Sequence, residues 1–331
     1  MDAAKAFEEV AKLAPKEPDR AYIPIVAAAL RSKASYLKIS YDQGGTIFDY
    51  DGDVLFDSEN LFQIALKANN TRPERHLATG LWCLNQSEPT WVSYESWDGA
   101  SGGRVKVEAG KVKFEKILKA PWKETTVFNR VRMQSKKGWK PFGGLFGGSG
   151  KIDTVPPEVK TIMDLCRFAP IPIEINQQVS SKPVDLGRSL VCLVFDPPAE
   201  RRDVQRLSLG EQDTLDQVRV TAGEAYSAII AVGGQNPQLA TLNLGGDGML
   251  IKQDDPQLAA MGLRCVITCS DLQVDTEGKV VKDEAYQAVL ADLTRKALAI
   301  GEVLADQMGD MNALDRVEAA DYVKYYADQH E

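Results

Sequence analysis

Histidine is nearly absent from this chain, and its cysteines follow no metal-binding pattern. Only His76 and His330 occur among 331 residues, so a His-based catalytic triad has few positions in which to form. The five cysteines include no Cys-x-x-Cys pair and no histidine-rich neighbourhood, so zinc is not indicated and we predict no metal site. Most of the cysteines lie inside apolar runs, which predicts buried thiols in a reducing cytoplasm.

Long apolar runs and an excess of positive charge are missing as well. Nowhere do 18 apolar residues follow one another, and the first ten residues have the pattern of a polar, amphipathic helix. We therefore expect a cytoplasmic protein that is neither exported nor inserted in a membrane. The formal net charge is -8, which argues against general affinity for nucleic-acid backbone or acidic lipid. Proteins or small molecules are the expected partners.

The composition is sufficient for two domains. A chain of 331 residues with 44% hydrophobic and 26% charged residues is typical of globular proteins, and its length allows two separate cores. Six glycines and then a proline pair fall between 138 and 157, which predicts a flexible boundary. We therefore predict a first domain over 1–140, a linker over 141–157 and a second domain over 158–331.

The periodicity of apolar residues switches repeatedly between that of helices and that of strands. The clearest hairpin pairs 104–108 with 111–115, because apolar and charged residues alternate strictly on either side of Ala109 and Gly110. The mixture predicts an α/β (α+β) fold class. Helices are predicted at 2–14, 20–32, 58–67 and 158–167, and strands from Tyr36, across a turn at Gly44, and near 171–175, 189–195, 226–232, 239–252 and 263–269, followed by C-terminal helices.

Two segments near the start carry a recognisable pattern. The short apolar helix is followed by Ala34-Ser-Tyr-Leu-Lys-Ile-Ser-Tyr41 and by Gly45-Thr-Ile-Phe-Asp-Tyr-Asp-Gly52. This order resembles the nucleotide pocket of the GHKL ATPase superfamily, and over about residues 15–310 the chain resembles the N-terminal and middle domains of the ninety-kilodalton heat-shock chaperones. The resemblance implies a GHKL-like α/β sandwich followed by a second α/β domain similar to a chaperone middle segment.

The residues that would perform catalysis in this superfamily are replaced. With Ala34 and Ser35 placed on the family's Ala-Thr pair, Pro24 stands at the position of the water-activating Glu and Ala28 at that of the magnesium-binding Asn. Neither residue has a side-chain group that can orient water or coordinate a hard cation. We therefore predict no catalytic residues and lean towards a protein that is not an enzyme.

Four residues are candidates for a vestigial nucleotide pocket. Asp49 matches the family's adenine-recognising Asp, while Gly52 lies out of register with the expected glycines. Gly80 is the one match to a Gly-x-Gly-x-x-Ser phosphate loop placed on 78–83, and Thr126 resembles the threonine of a Gly-Thr-x-Val strand that contacts the base. The alternative is that Asp49 and its acidic neighbours form an ordinary acidic turn, that the threonine is a good strand former, and that no cofactor or only weak ATP or ADP binding remains.

Other segments indicate chemistry less specifically. Segment 270–284 resembles a family segment whose Arg reaches the terminal phosphate, but Gly278 stands there beside Lys279, and a polar turn is the preferred interpretation. Segment 144–151 departs from a phosphate-binding loop in spacing and is interpreted as linker. The basic and aromatic stretch over 130–142 could meet nucleic acid or an acidic partner.

Three functions remain open from the sequence. The leading hypothesis is a non-catalytic pseudo-ATPase that serves as a scaffold or regulatory subunit in a protein assembly, with a protein partner. The alternative is an ATP-dependent, chaperone-like ATPase whose motif residues lie elsewhere in the chain. A third hypothesis is a nucleic-acid-associated factor, which the net negative charge disfavours. The sequence leaves the oligomeric state open.

Overall fold

The computed structural model of the chain divides into two compact units. One comprises Met1–Lys182 with Asp247–Met249, and the other comprises Pro183–Gly246 with Leu250–Glu331. The structure describes residues 2–53, 57, 59–69, 72–119, 127–136, 155–166, 169, 171–181, 190–196, 218–221, 227–232, 241–246, 249–253, 264–269, 272 and 280–328.

The first unit combines helices with one large sheet. Two short 3-10 turns, Val10–Leu13 and Pro18–Arg20, connect the first two helices. The helices are α1 (Ala3–Glu9), α2 (Ile23–Arg31), α3 (Leu61–Lys67), α4 (Pro73–Gln86) and α5 (Pro157–Leu165). The strands are β1 (Leu37–Asp42), β2 (Gly45–Tyr50), β3 (Trp91–Trp97), β4 (Gly102–Glu108), β5 (Lys111–Ile117), β6 (Phe128–Gln134), β7 (Ile173–Ile175) and β8 (Gln178–Val179).

Within the described residues the sheet has eight strands in the order β5-β4-β3-β6-β2-β1-β7-β8. The pairs are antiparallel except for β1 and β7, which run parallel. One face of the sheet joins the helices in a single apolar core, to which Phe48, Tyr94 and Val131 contribute from three strands. We call this the inner face and the opposite one the outer face.

The hairpin formed by β4 and β5 confirms the prediction made from its alternating pattern. Val105 pairs with Phe114 and Val107 with Val112 across the two strands. Ala109 and Gly110 connect them with φ values of 48° and 73°, the left-handed conformation that two-residue hairpin turns require. The strict period of two therefore identified both the strands and their register.

The second unit is built from a second sheet and two C-terminal helices. In the described residues its strand order is β10-β9-β11-β14-β12-β13. Asp283 caps the long helix α6 by accepting a hydrogen bond from the backbone N–H of Tyr286 at 3.0 Å. The elements are β9 (Val191–Asp196), β10 (Val218–Thr221), β11 (Ser227–Val232), β12 (Thr241–Gly246), β13 (Met249–Gln253), β14 (Arg264–Thr268), α6 (Glu284–Gln307) and α7 (Ala313–Asp328).

The predicted α/β class is confirmed, but the division of the chain differs from the predicted one. The predicted linker over 141–157 precedes α5 and β7, and both of these elements belong to the first unit. The reason is pairing at long range: Leu37 and Ile39 of β1 lie beside Ile173 and Ile175 of β7. The glycines of the predicted linker lie outside the described residues, and strand pairing decides to which unit the following segment belongs.

This division generates a prediction about truncated chains. A fragment of residues 1–182 is expected to fold with a cooperative unfolding transition, because it contains every described strand of the first sheet. A fragment of residues 1–140 lacks β7 and would expose Leu37 and Ile39 at the sheet edge, although both are now buried. We expect it to unfold at a lower denaturant concentration or to aggregate, as measured by circular dichroism and size-exclusion chromatography. Equal stability of the two fragments would contradict the division at residue 182.

Candidate functional site

Strand β2 divides its side chains between the two faces of the first sheet. Thr46, Phe48 and Tyr50 point to the helices and are buried. The Tyr22 ring, at the start of α2, packs edge-on against Phe48 with 5.1 Å between ring centroids, and the Tyr22 hydroxyl lies 3.0 Å from Oγ1 of Thr46. The space between the start of α2 and β2 is therefore filled by side chains.

Asp49 lies on the outer face, because side chains of a strand alternate. Its Oδ2 accepts a hydrogen bond from Nη2 of Arg130 on β6 at 2.7 Å, and its Oδ1 accepts a second one from Nε. The side chains of Asp49 and Arg130 are 31% and 25% exposed. The residue aligned with the adenine-binding Asp thus faces away from the helix–sheet interface and holds an arginine in a two-point contact. Its assignment to nucleotide binding stays a prediction.

The Asp49–Arg130 pair is the centre of a row of charges that crosses the outer face. Paired positions on neighbouring strands carry opposite signs across β7, β1, β2, β6, β3, β4 and β5. Ion pairs join Lys38 to Glu174 at 4.0 Å and Arg104 to Glu95 and Glu115 at 2.9 and 3.0 Å. We call this row the charge ladder; it consists of Glu174, Lys38, Asp49, Arg130, Glu95, Arg104 and Glu115.

The acidic segment after Asp49 forms a turn that is fixed to the end of α2. Asp51 accepts backbone N–H hydrogen bonds from Ser35 at 2.5 Å and Tyr36 at 3.3 Å. Gly52 has φ +113°, and a Cβ there would overlap the carbonyl oxygen of Ser32. Glycine is needed at this position for a close approach of two backbone segments. These contacts match the acidic-turn alternative of the sequence analysis.

Residues 78–83, which were aligned with the family's phosphate-binding motif, form the middle of helix α4 rather than a loop. The assignment of Gly80 to nucleotide binding stays a prediction. A Cβ on Gly80 would lie 2.5 Å from Cγ1 of Ile25, so the missing side chain lets α4 approach α2 closely. The helix already uses the backbone groups of this segment, and Thr79 donates its hydroxyl to the Arg75 carbonyl at 2.8 Å. Thr126, the fourth candidate, lies outside the described residues.

Pro24 and Ala28 occupy the first turn and the middle of α2. Both are buried, and proline fits the first turn of a helix because its missing N–H would have no partner there. Burial raises the pKa of the nearby Tyr22 hydroxyl to about 12, although its hydrogen bond to Thr46 lowers it. Burial also raises the pKa of Tyr50 well above its ordinary value. The side chains at the α2–β2 interface are therefore buried from solvent.

A second row on the outer face carries positive charge without alternation. Arg132, Lys106 and Lys113 lie in one line across β6, β3, β4 and β5, with Ser93 between the first two. The Trp91 ring lies between two of these cations, 5.2 Å from Nζ of Lys106 and 5.3 Å from the guanidinium carbon of Arg132. We call Arg132, Lys106, Lys113 and Trp91 the basic row.

Arg132 also lines a surface cleft of about 520 Å³ at the turn between β1 and β2. Ser40, Ile47 and Gln177 contribute to its walls. Asp42 lies there too, and its Oδ1 accepts the backbone N–H groups of Gly44 and Gly45 at 2.7 and 3.2 Å. The cleft is thus a polar extension of the basic row rather than an enclosed cavity.

The described cysteines are buried, and the described residues show neither a metal cluster nor a membrane-spanning helix. Cys83, Cys166, Cys265 and Cys269 are buried thiols, as predicted for these residues, and burial raises the pKa of the first three to about 12. Among the described residues no cluster of His, Cys, Asp or Glu could hold a metal ion. The described helices include none that is both long and apolar enough to cross a membrane.

Sequence reasoning did not identify the charge ladder or the basic row. The sequence did contain a signal, because charged residues alternate with apolar ones along these strands. Arg104, Lys106 and Glu108 alternate with valines on β4, and Glu95 and Arg130 are charged positions on β3 and β6. The register between β6 and β3 was needed to align these residues, because 30 or more positions separate the strands along the chain.

Comparison with known proteins gives a likeness in structure only. No protein-family model matches the sequence, and no curated protein matches it. The chain is similar to the B-subunit of DNA gyrase from Myxococcus xanthus, with a TM-score of 0.47, 10% identity, and 82% of this chain and 86% of that chain covered. It is also similar to the ATPase region of topoisomerase II from Saccharomyces cerevisiae, with a TM-score of 0.44, 9% identity and coverage of 79% and 76%.

A third similar structure is the ATPase domain of the mismatch repair endonuclease MutL from Aquifex aeolicus. Here the TM-score is 0.37, the identity 12%, and the coverage 81% of this chain and 94% of that chain. Identities and TM-scores this low leave the function to be decided by the residues of this chain alone.

The contact between α4 and α2 generates a prediction. Replacing Gly80→Ala should lower the midpoint of chemical unfolding, because overpacking against Ile25 costs about 1 to 3 kcal/mol. The better helix propensity of alanine offsets at most about 1 kcal/mol of this. Gly309→Ala is the control, since nothing lies within 4 Å of the position that its Cβ would take. A gain in stability for Gly80→Ala would contradict the tight contact.

The charge ladder generates a second prediction. A double-mutant cycle of Asp49→Asn and Arg130→Gln should give a coupling free energy of about 1 kcal/mol, since the pair is half-buried and has two contacts. The control cycle uses Glu88→Gln and Lys136→Gln, a pair at 3.2 Å whose side chains are 82% and 62% exposed. There we expect coupling near zero. Equal coupling in both cycles would show that the ladder adds nothing to stability.

Proposed function

We propose that the chain is a non-catalytic pseudo-ATPase with a GHKL-like fold, similar to the N-terminal and middle domains of the heat-shock chaperones, that serves as a scaffold or regulatory subunit. The observation that carries this proposal is the position of Asp49. It lies on the outer face in an ion pair with Arg130, while Thr46, Phe48 and Tyr50 fill the inner face opposite α2.

The absence of chemistry at two positions of α2 supports the same proposal. Hydrolysis of ATP requires a group that orients the attacking water and oxygen ligands for magnesium. The aligned positions, Pro24 and Ala28, are buried and have neither. Neither position has a titratable or metal-ligating side chain. These two residues could therefore neither activate water nor bind magnesium beside a nucleotide.

The packing between helix and sheet disfavours a triphosphate for a second reason. A phosphate group must exchange its hydration shell for hydrogen bonds, and burial of a charge without such partners is very costly. At this interface the hydroxyl of Tyr50 is buried without a hydrogen-bond partner among the described residues. The bare backbone of Gly80 faces Ile25 and is already part of a helix. The phosphate groups of ATP or ADP would therefore have few hydrogen-bond donors at this interface.

The surface that the first unit leaves exposed supports a role in binding a protein partner. Its inner face is covered by helices, whereas the outer face displays an extended and ordered array of charges. Such arrays give specificity to protein contacts, because a partner must match both the sign and the spacing. The buried, weakly acidic thiols suit a protein that works in a reducing cytoplasm.

The test is a titration with nucleotide. Purified protein should release no heat with ATP plus magnesium or with ADP, should show no rise in unfolding temperature on adding them, and should hydrolyse no ATP above a heat-inactivated control. These results are expected because Tyr22 packs against Phe48 and Thr46 between α2 and β2, and because Pro24 and Ala28 carry no reactive group.

The outcome that would overturn the proposal is equally specific. Saturable ATP binding or turnover that Asp49→Asn abolishes would favour the ATP-dependent chaperone alternative. Asp57→Asn is the matched control, because it makes the same chemical change at an exposed residue outside the outer face. Binding that both variants reduce equally would reflect a general loss of charge rather than a nucleotide pocket.

A further inference from the structure

The outer face of the first unit combines two rows with opposite electrostatic character. In the charge ladder every cation stands between carboxylates on the neighbouring strands, so the row is electrically satisfied. The basic row lies two residues further along the same strands, and all of its charged residues are positive. The two adjacent rows therefore differ in charge pattern: one alternates in sign and the other is uniformly positive. Folding of the sheet does not require a uniformly positive row.

The basic row carries a cost in the folded state. Lys106 and Lys113 are directly opposite each other on β4 and β5, and like charges in this arrangement destabilise a sheet. Lys106 is compensated by Glu108 at 3.1 Å. Among the described residues no carboxylate forms an ion pair with Arg132 or Lys113, and both are exposed. An anion from outside the molecule would relieve this repulsion.

Trp91 gives the row a non-polar anchor. Its ring is half-buried, and cations flank it at 5.2 and 5.3 Å, so its position is set from two sides. Aromatic residues fixed in this manner are common anchors of protein interfaces. Because Arg132 also borders the cleft beside Ser40, a ligand on the row can continue into a polar recess.

We propose that the basic row is a docking surface for a short, extended, acidic segment of a partner protein. This inference deepens the scaffold function proposed above and rests on it. Acidic side chains would pair with Arg132, Lys106 and Lys113, and an apolar side chain of the segment would contact the Trp91 ring. The complementary charge defines the chemistry of the partner.

The surroundings favour a short segment over a long polyanion. The carboxylates of the neighbouring ladder, Asp49, Glu95 and Glu115, flank the row on one side. A nucleic-acid strand that continued beyond the row would meet these carboxylates and the net charge of -8 of the whole chain. A peptide can place its acidic residues on the row alone and present neutral residues elsewhere.

The experiment is a titration of the full chain with a fluorescein-labelled oligo-glutamate peptide that contains one leucine, followed by fluorescence anisotropy at low and at high salt. We expect saturable binding that weakens as salt is added. The double variant Arg132→Glu with Lys106→Glu should lower the affinity by at least about tenfold, because two attractive contacts become repulsive.

A matched double variant controls for net charge. Lys5→Glu with Lys160→Glu changes the charge by the same amount at exposed positions on α1 and α5. It should leave the affinity within about twofold of the unmodified chain, since these sites are away from the sheet's outer face. A thermal unfolding curve for each variant verifies that the first unit is folded.

Three outcomes would overturn the docking inference: no peptide binding at low salt, equal loss of affinity in both double variants, or tighter binding of a labelled oligo-deoxythymidine that only the Arg132→Glu and Lys106→Glu variant loses. The last would make the row a nucleic-acid site. None of these results changes the nucleotide titration, which decides the pseudo-ATPase proposal separately, so failure of one proposal is distinguishable from failure of the other.

Discussion

The first unit depends on the alternation of side chains along β2 at the centre of its sheet. Thr46, Phe48 and Tyr50 must share one face, and their burial against the helices is the largest source of stability available to this strand. Asp49 is thereby forced to the opposite face. A slip of one residue would bury a carboxylate and expose three core residues, so the register is strongly specified.

The position of Asp49 has consequences across the whole sheet. Because its carboxylate contacts Arg130 on the adjacent strand, each neighbouring strand can add a charge of the opposite sign, and the ladder extends to both sides. Individually, exposed ion pairs contribute little to stability. Their ordered arrangement matters more as a surface, because it neutralises one row and leaves the adjacent basic row as the electrostatic feature that a partner can recognise.

The glycines show that the same residue type can serve two different physical roles. Gly52 allows the acidic turn to approach Ser32, and Gly80 allows α4 to approach Ile25. Both residues were candidates for nucleotide contacts because a bare backbone can wrap phosphates. A bare backbone also permits close packing between protein segments, and the two uses cannot be separated until the neighbouring atoms are known.

From the sequence alone, the α/β class, the β4–β5 hairpin and the C-terminal helices could be predicted, because each follows from local periodicity. The helix over 73–86 was not predicted, and only a match to a phosphate-binding motif was placed there. Only the tertiary structure decided that β7 completes the first sheet and that Asp49 forms an ion pair with Arg130. Those outcomes depend on pairings between residues more than 80 positions apart, which no local pattern encodes.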